Sequence, residues 1–228
     1  MTEGLIILDK PAGMSSARAV AAVKRLLPRE EKLGHAGTLD PFATGVLVLM
    51  VGRATRCSER IMSWPKTYEA TIKLGATTPT DDPESPERAF AGAGPAPELG
   101  QIEQALRGFV GAIQQRPPIY SAIKIDGKRA CDRVRGGAAD LQLKPRIVQV
   151  HAIDVLSYQW PLLSVRIDCG RGTYIRSIAR DLGIALNVGG YLTALRRTRV
   201  GQCTIDRAVT LTHLDARNIS LHVLPPPQ

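Results

Sequence analysis

Gly34-His35-Ala36-Gly37-Thr38-Leu39-Asp40-Pro41-Phe42-Ala43-Thr44-Gly45 runs without a break into the apolar segment Val46-Leu47-Val48-Leu49-Met50-Val51. That short apolar run reads as a buried strand. The loop before it is stiff. Its glycines, Gly34, Gly37 and Gly45, permit positive φ or close approach of another surface. Pro41 fixes its own φ and drives Asp40 out of any helix towards extended backbone. Asp40 is thus a carboxylate on a rigid loop leading into the core, a common way for a scaffold to present a reactive side chain. Asp-Pro in a Gly-rich loop is also ordinary turn chemistry, so the loop alone does not decide function.

Outward from this loop the pattern predicts a mixed architecture. Leu5 to Leu8 form a short buried strand, and Ser15 or Ser16 caps a helix whose apolar face ends at Pro28. A second helix is expected over 54–63. Apolar residues alternate with polar ones in Thr67–Leu74, a strand with one buried face and Tyr68 at its start. Residues 79–97 hold five prolines among Asp, Glu, Ser and Gly and read as a mobile surface loop. A helix is expected at 97–109 and a strand at 119–125, with Asp126-Gly127 as a hairpin turn. Paired strands follow at 146–158 and 162–169, then a helix at 173–186 and a strand region at 191–205. Strands and helices mix without regular βαβ alternation, which predicts an α+β fold with a mainly antiparallel sheet.

The chain has 228 residues, and its 30 Lys and Arg against 21 Asp and Glu give a net charge of +9. The excess lies in two stretches, 116–146 and 166–207, each with eight basic residues against three Asp. Such clustering suits a polyanion, because each neutralised phosphate releases counterions; charge alone does not distinguish RNA from DNA. Cys57, Cys131, Cys169 and Cys203 show no C-x-x-C spacing and no nearby histidine pair. This argues against a zinc site and for reduced thiols in the cytoplasm. No apolar run approaches the roughly 20 residues of a membrane span, and no dinucleotide or phosphate-loop glycine pattern is present. A cofactor-free, metal-free enzyme with no membrane association is the expectation.

The loop matches GH-x-G-x-LDP-x-A-x-G, the signature of the TruB family of RNA pseudouridine synthases, which the chain resembles elsewhere too. Leu8-Asp9-Lys10-Pro11 with Gly13-Met14-Ser15-Ser16 is similar to the family's N-terminal motif, and Lys66-Thr67-Tyr68-Glu69-Ala70 to its tyrosine segment. Pro118–Lys124 with Asp126-Gly127-Lys128 resembles its central motif. Gly172-Thr173-Tyr174-Ile175-Arg176-Ser177 resembles its arginine segment and Leu195-Arg196-Arg197 its late motif. The matches occur in family order from residue 4 to about residue 215.

The resemblance implies the pseudouridine synthase fold, with a mixed sheet, a central cleft and one catalytic domain over 1–215. Residues 216–228 would then be a short Pro-rich tail, with no C-terminal RNA-binding PUA domain. It implies isomerisation of uridine 55 in the T-arm loop of tRNA, with Asp40 as nucleophile. Arg176 would hold that carboxylate, and Tyr68 would stack on the uracil and exchange protons. His35, Tyr174 and Leu195 are implied as further contacts around the substrate, with Lys10 and Pro11 bracing the site from beneath. The implied partner is the tRNA T-arm, with no obligate protein partner and a monomeric enzyme. Whether Asp40 adds to ribose C1′ or promotes elimination to a glycal stays open. Rival readings are an RNA-binding protein without turnover and a synthase acting on another RNA. A glycosidase is disfavoured because no second carboxylate shares a motif with Asp40.

Overall fold

The computed structural model describes residues 3–92, 94–121 and 143–225, together with the backbone of 124–125 and 128–129. It divides into two compact units, the first built from residues 1–69 and 195–228, the second from 70–194. The chain leaves the first unit within one strand and returns to it within another.

The first unit is organised around β1 (Gly4–Lys10) and β3 (Thr44–Val51), which pair antiparallel along their whole length from Gly4↔Val51 to Lys10↔Gly45. Every residue from Gly45 to Val51 is buried, as the unbroken apolar run requires. On its other edge β3 takes β2 (Leu33–His35) antiparallel and the later strand β12 (Gly190–Val200) parallel, the latter at Arg196↔Thr44 and Arg197↔Gly45. β13 (Cys203–Thr204) pairs with β12, and β14 (Val209–Thr210) lies parallel to β1. One apolar cluster joins Leu5, Ile7, Val46, Val48, Met50, Ile61 and Val200. Helix α1 (Ser16–Lys24) is capped by the Ser15 hydroxyl, which accepts from Arg18 N–H. The helix expected at 54–63 is a 3₁₀ turn over Gly52–Cys57 followed by α2 (Ser58–Ser63). Past Leu211 the chain comes back to β1, where Leu5 and Leu224 exchange both backbone hydrogen bonds at 2.8 Å.

Strand β4 (Lys66–Leu74) enters the second unit, where the ribbon of β5 (Ala76–Thr77) and β6 (Arg88–Ala89) closes the loop between them. Helix α3 (Leu99–Arg107) starts with a capping box in which Glu98 and Gln101 satisfy each other's backbone donors. Then come β7 (Gly111–Gln115), the short antiparallel pair β8 (Lys124–Ile125) and β9 (Lys128–Arg129), and the antiparallel run β7–β10–β11 with β10 at Arg146–Gln159 and β11 at Leu162–Cys169. Helix α4 (Ile175–Ala185) follows. It begins two residues later than expected because Thr173 is not helical and Tyr174 is extended at its N-cap.

Two expectations need correction. Of the strand expected at 119–125, residues 119–121 are not extended pairing chain, because Ser121 N–H turns back onto Ile119 O at 3.0 Å, while 124–125 form β8 and 122–123 lie outside the described residues. The segment 79–97 lies largely at the surface but is pinned at its start. Asp82 is buried, and its backbone N–H and C=O are both met by the Thr78 hydroxyl, at 3.0 and 2.8 Å. The hairpin turn at Asp126-Gly127 and the basic side chains from Lys124 to Arg135 lie outside the described residues.

Candidate active site

The loop carrying Asp40 is held by its backbone on both sides of the carboxylate. Ala36 N–H donates to Val48 O at 2.9 Å. At Leu39 the buried Ser16 hydroxyl serves both groups, accepting from the N–H at 2.8 Å and donating to the C=O at 3.0 Å. The Pro41 carbonyl accepts from Gly13 N–H at 2.8 Å and from Lys10 Nζ at 3.2 Å. Asp40 closes a turn through its own carbonyl to Ala43 N–H at 3.1 Å, and its side chain is partly exposed. The backbone on both sides of the carboxylate, at Leu39 and at Pro41, is thereby held.

Lys10 is 0 % exposed. Besides Pro41, its ammonium donates to Pro11 O at 2.8 Å and Met14 O at 2.7 Å. Three carbonyls around one buried cation compensate part of its desolvation. Lys10 thus joins the Pro11 and Met14 carbonyls to the Pro41 carbonyl beside Asp40.

Arg197 does more than the sequence suggested. It is 1 % exposed, and its guanidinium donates from Nε to Val46 O at 2.7 Å, from Nη2 to Gly37 O at 3.1 Å and from Nη1 to Thr38 O at 3.4 Å. Gly37 and Gly45 both take positive φ, at 92° and 100°. At Gly45 a Cβ would lie 2.2 Å from the Arg197 carbonyl oxygen, so the third glycine of the loop is required by β12 itself. Arg197 thus tethers the front of the loop, at Gly37 and Thr38, while Ser16, Gly13 and Lys10 tether the back.

His35, on β2, feels the same arginine. Burial and then the Arg197 charge lower its pKa, with the Gly37 backbone acting the other way, so the imidazole is neutral near pH 7. Its Nδ1 is enclosed without a hydrogen-bond partner among the described residues. Tyr68 is buried on β4 beside Thr67, whose carbonyl accepts from the Thr198 hydroxyl at 3.3 Å and whose hydroxyl accepts from Arg199 Nε at 2.9 Å. Leu195 is buried on β12, next to Arg196, which forms a two-pronged ion pair with Asp9 at 2.8 and 3.3 Å.

In the second unit Tyr174 caps α4, and its backbone is bracketed by one amide. Gln115 Oε1 accepts from Tyr174 N–H at 2.8 Å while Nε2 donates to Tyr174 O at 3.0 Å. Arg146 lies over the ring, 5.0 Å from its centre, and also donates to Gly172 O. Arg176, in the first turn of the helix, is 3 % exposed. Its Nη1 meets Asp82 Oδ2 and Thr80 O, both at 3.0 Å, and its Nη2 meets Tyr120 O at 2.9 Å. Two of the eight arginines in 166–207, Arg176 and Arg197, are accordingly internal cations that organise backbone carbonyls. Reading them as part of a phosphate-tracking surface is corrected by their burial. Among the described residues no cluster of three His, Cys, Asp or Glu could hold a metal ion, and no helix is long and apolar enough to cross a membrane.

The family model for the N-terminal domain of TruB family pseudouridylate synthases matches residues 24–175, and that for the tRNA pseudouridylate synthase B C-terminal domain matches 176–221.

The chain belongs to the TruB family.

Among its relatives is a tRNA pseudouridine synthase B of Corynebacterium efficiens, 48 % identical over 96 % of this chain and 74 % of the relative. Another, from Aromatoleum aromaticum, is 44 % identical over 95 % of this chain and 69 % of the relative. Solved structures place the TruB chain in the pseudouridine synthase fold. The match to a Cbf5-Nop10-Gar1 complex has a TM-score of 0.72 at 34 % identity, covering 93 % of this chain and 54 % of that one. A second, to an H/ACA RNP bound to a substrate RNA containing 2′-deoxyuridine, has a TM-score of 0.68 at 32 % identity, covering 92 % and 52 %. The TruB chain thus spans about half the length of those two chains. Family membership makes it a pseudouridylate synthase, an isomerase.

Three contributors to the described geometry escaped the sequence reading. Ser16 and Arg197 stood inside quoted motifs, where a hydroxyl after a glycine turn and a doubled arginine were the available signals. Asp82 gave no such signal, since the Pro-rich context masked it.

Proposed function

We propose that this chain converts uridine 55 of the tRNA T-arm loop to pseudouridine, with Asp40 as the nucleophile. The observation that carries the reading is the immobilised backbone on either side of Asp40, at Leu39 and Pro41. A carboxylate fixed in this way is suited to attack at a sugar carbon, as in glycosidases.

The reaction breaks N1–C1′, turns the uracil and joins C5 to C1′; C5 loses a proton and N1 gains one. Nothing is added or lost, so the stoichiometry calls for no cofactor. The target base must leave its stack to reach Asp40, and loop nucleotides are the part of RNA that a protein can read. In this reading Tyr68 stacks on the uracil and exchanges protons, Arg176 holds the reacting carboxylate, and Tyr174 and Leu195 contact the uridine. Neutral His35 fits the space that the flipped nucleotide vacates, because filling it demands no counter-ion. Residues 1–215 act together as the catalytic domain. Both routes at C1′, addition and glycal formation, use the same carboxylate.

The test is to incubate the protein with unmodified tRNA transcript and map pseudouridine chemically. Modification at position 55 is expected. Modification only at another uridine, or in another RNA, would overturn the assignment of the target; no modification of any RNA would overturn the catalytic reading.

A further inference from the structure

Two consecutive acids, Asp81 and Asp82, meet two arginines one helical turn apart on α4. Asp82 takes Arg176 at 3.0 Å, and Asp81 takes Arg180 Nη1 at 3.1 Å. Successive residues of extended chain point to opposite sides, so both carboxylates cannot face one helix without a change of backbone hand. Asp81 supplies that change, with φ at 59°. Left-handed backbone at a residue other than glycine is strained and persists only where its surroundings over-determine it. Here they do: Asp81 N–H donates to Thr78 O at 3.2 Å, and its carbonyl accepts from Leu192 N–H at 3.1 Å.

Arg180 is itself anchored. Its Nε meets Asp181 at 2.8 Å, and its Nη2 donates to Arg116 O at 2.9 Å, a carbonyl that also accepts from the Ser177 hydroxyl at 2.8 Å. The side chains of Asp81 and Arg180 are mostly buried. Burying two charges is expensive, so a partly buried ion pair is a poor device for stability alone. It is a good device for fixing the rotation of a loop against a helix.

We propose that Asp81 and Arg180 are positioning residues for Arg176. Their ion pair locks the Thr78–Asp82 loop against α4, so that Asp82 Oδ2 and Thr80 O hold the Arg176 guanidinium in one orientation. Neither residue touches substrate in this scheme. This rests on the reading that Arg176 works at the reacting carboxylate.

The test compares wild type with Asp81→Asn, Arg180→Gln and the double variant. Asn tolerates the left-handed backbone, so the first variant removes charge without adding strain. Turnover of unmodified tRNA transcript should show kcat about tenfold lower in each single variant, KM within twofold of wild type, and a double variant no worse than the singles. In parallel, the Arg176 Nε–H resonance, assigned through Arg176→Lys, should be single and sharp in wild type and broadened or shifted in both single variants. Unchanged kcat in both single variants, or losses that multiply in the double, would overturn the proposal even if melting temperatures fell. If wild type modifies no RNA, the functional reading fails, and the Arg176 resonance still decides the clamp: an unaltered signal in both single variants refutes it.

Discussion

The Ser16 hydroxyl answers both backbone groups of Leu39, 23 residues away, as acceptor at 2.8 Å and donor at 3.0 Å. One small side chain thus takes the place of a strand partner at the residue preceding Asp40. Ser16→Ala leaves a buried N–H and a buried C=O without that partner, at a cost of about 1 to 3 kcal/mol for each group left unmet. The expected outcome is a folded protein with a lower melting temperature and kcat reduced at least tenfold, because the carboxylate gains freedom. Wild-type kcat in a destabilised Ser16→Ala protein would show that the loop needs no such restraint.

Gly45 is expected to accept no side chain. A Cβ there would lie 2.2 Å from Arg197 O and 2.9 Å from Arg197 N, all backbone, at φ 100°. Gly45→Ala should therefore separate β3 from β12 and cost roughly 3 kcal/mol or more, the scale of severe core disruption. Gly13→Ala is the control: φ is 73° but nothing lies within 4 Å of the added carbon, so only the strain of about 1 kcal/mol applies. Thermal unfolding of both variants checks the contrast, and equal losses would contradict it.

Asp40→Asn preserves size while removing the charge and the nucleophile. Pseudouridine formation should fall below detection, since an amide cannot replace the carboxylate. RNA affinity should stay within a few-fold of wild type, because binding draws mainly on phosphate contacts and stacking. Residual turnover by a purified Asp40→Asn protein would remove Asp40 from the chemistry.

Acid stability should carry the mark of Asp81. Burial lifts its pKa from 3.8 to about 6, against the pull of Arg180 and Arg176 and helped by Asp181. Between those values the folded protein keeps a proton that the unfolded chain has released. The stabilising contribution of that proton is complete below pH 3.8 and is lost as pH rises to about 6. Asp81→Asn abolishes this slope. Measured by urea unfolding from pH 4 to 7, the variant should gain on wild type by about 2 to 3 kcal/mol between pH 4 and 6 and hold level above. A difference constant over the whole range would be inconsistent with a raised Asp81.

The rigid loop around Asp40 was legible because its chemistry is local. Glycine, proline and an apolar run specify backbone within a dozen residues, and the buried strand, its glycines and the Ser15 cap all follow. The motif residues Lys10, Tyr68, Tyr174 and Arg176 were legible only through family resemblance. What could not be read was long-range polar pairing. Asp82 finds Arg176 from 94 positions away and Arg197 finds Val46 from 151, and no periodicity records such a match. Charge counting failed for a related reason: an arginine that binds phosphate and one that binds buried carbonyls are the same letter. The start of the segment at 79–97 misled because proline and acid usually mean solvent, whereas Asp81 and Asp82 face inward.

The discontinuity of the first unit imposes an order on synthesis. Residues 1–69 leave the ribosome first, yet the side chain that grips Gly37, Thr38 and Val46 belongs to Arg197, and β12 supplies the edge against which Gly45 must sit. Until that late strand emerges, the nascent chain carries a complete Asp40 motif tethered at its back, by Ser16, Gly13 and Lys10, but not at its front. The aspartate is made early, and the front half of its loop's restraint is made late. A ribosome-tethered chain halted before Leu195 would therefore lack the Arg197 grip on Gly37, Thr38 and Val46, which arrives only with β12.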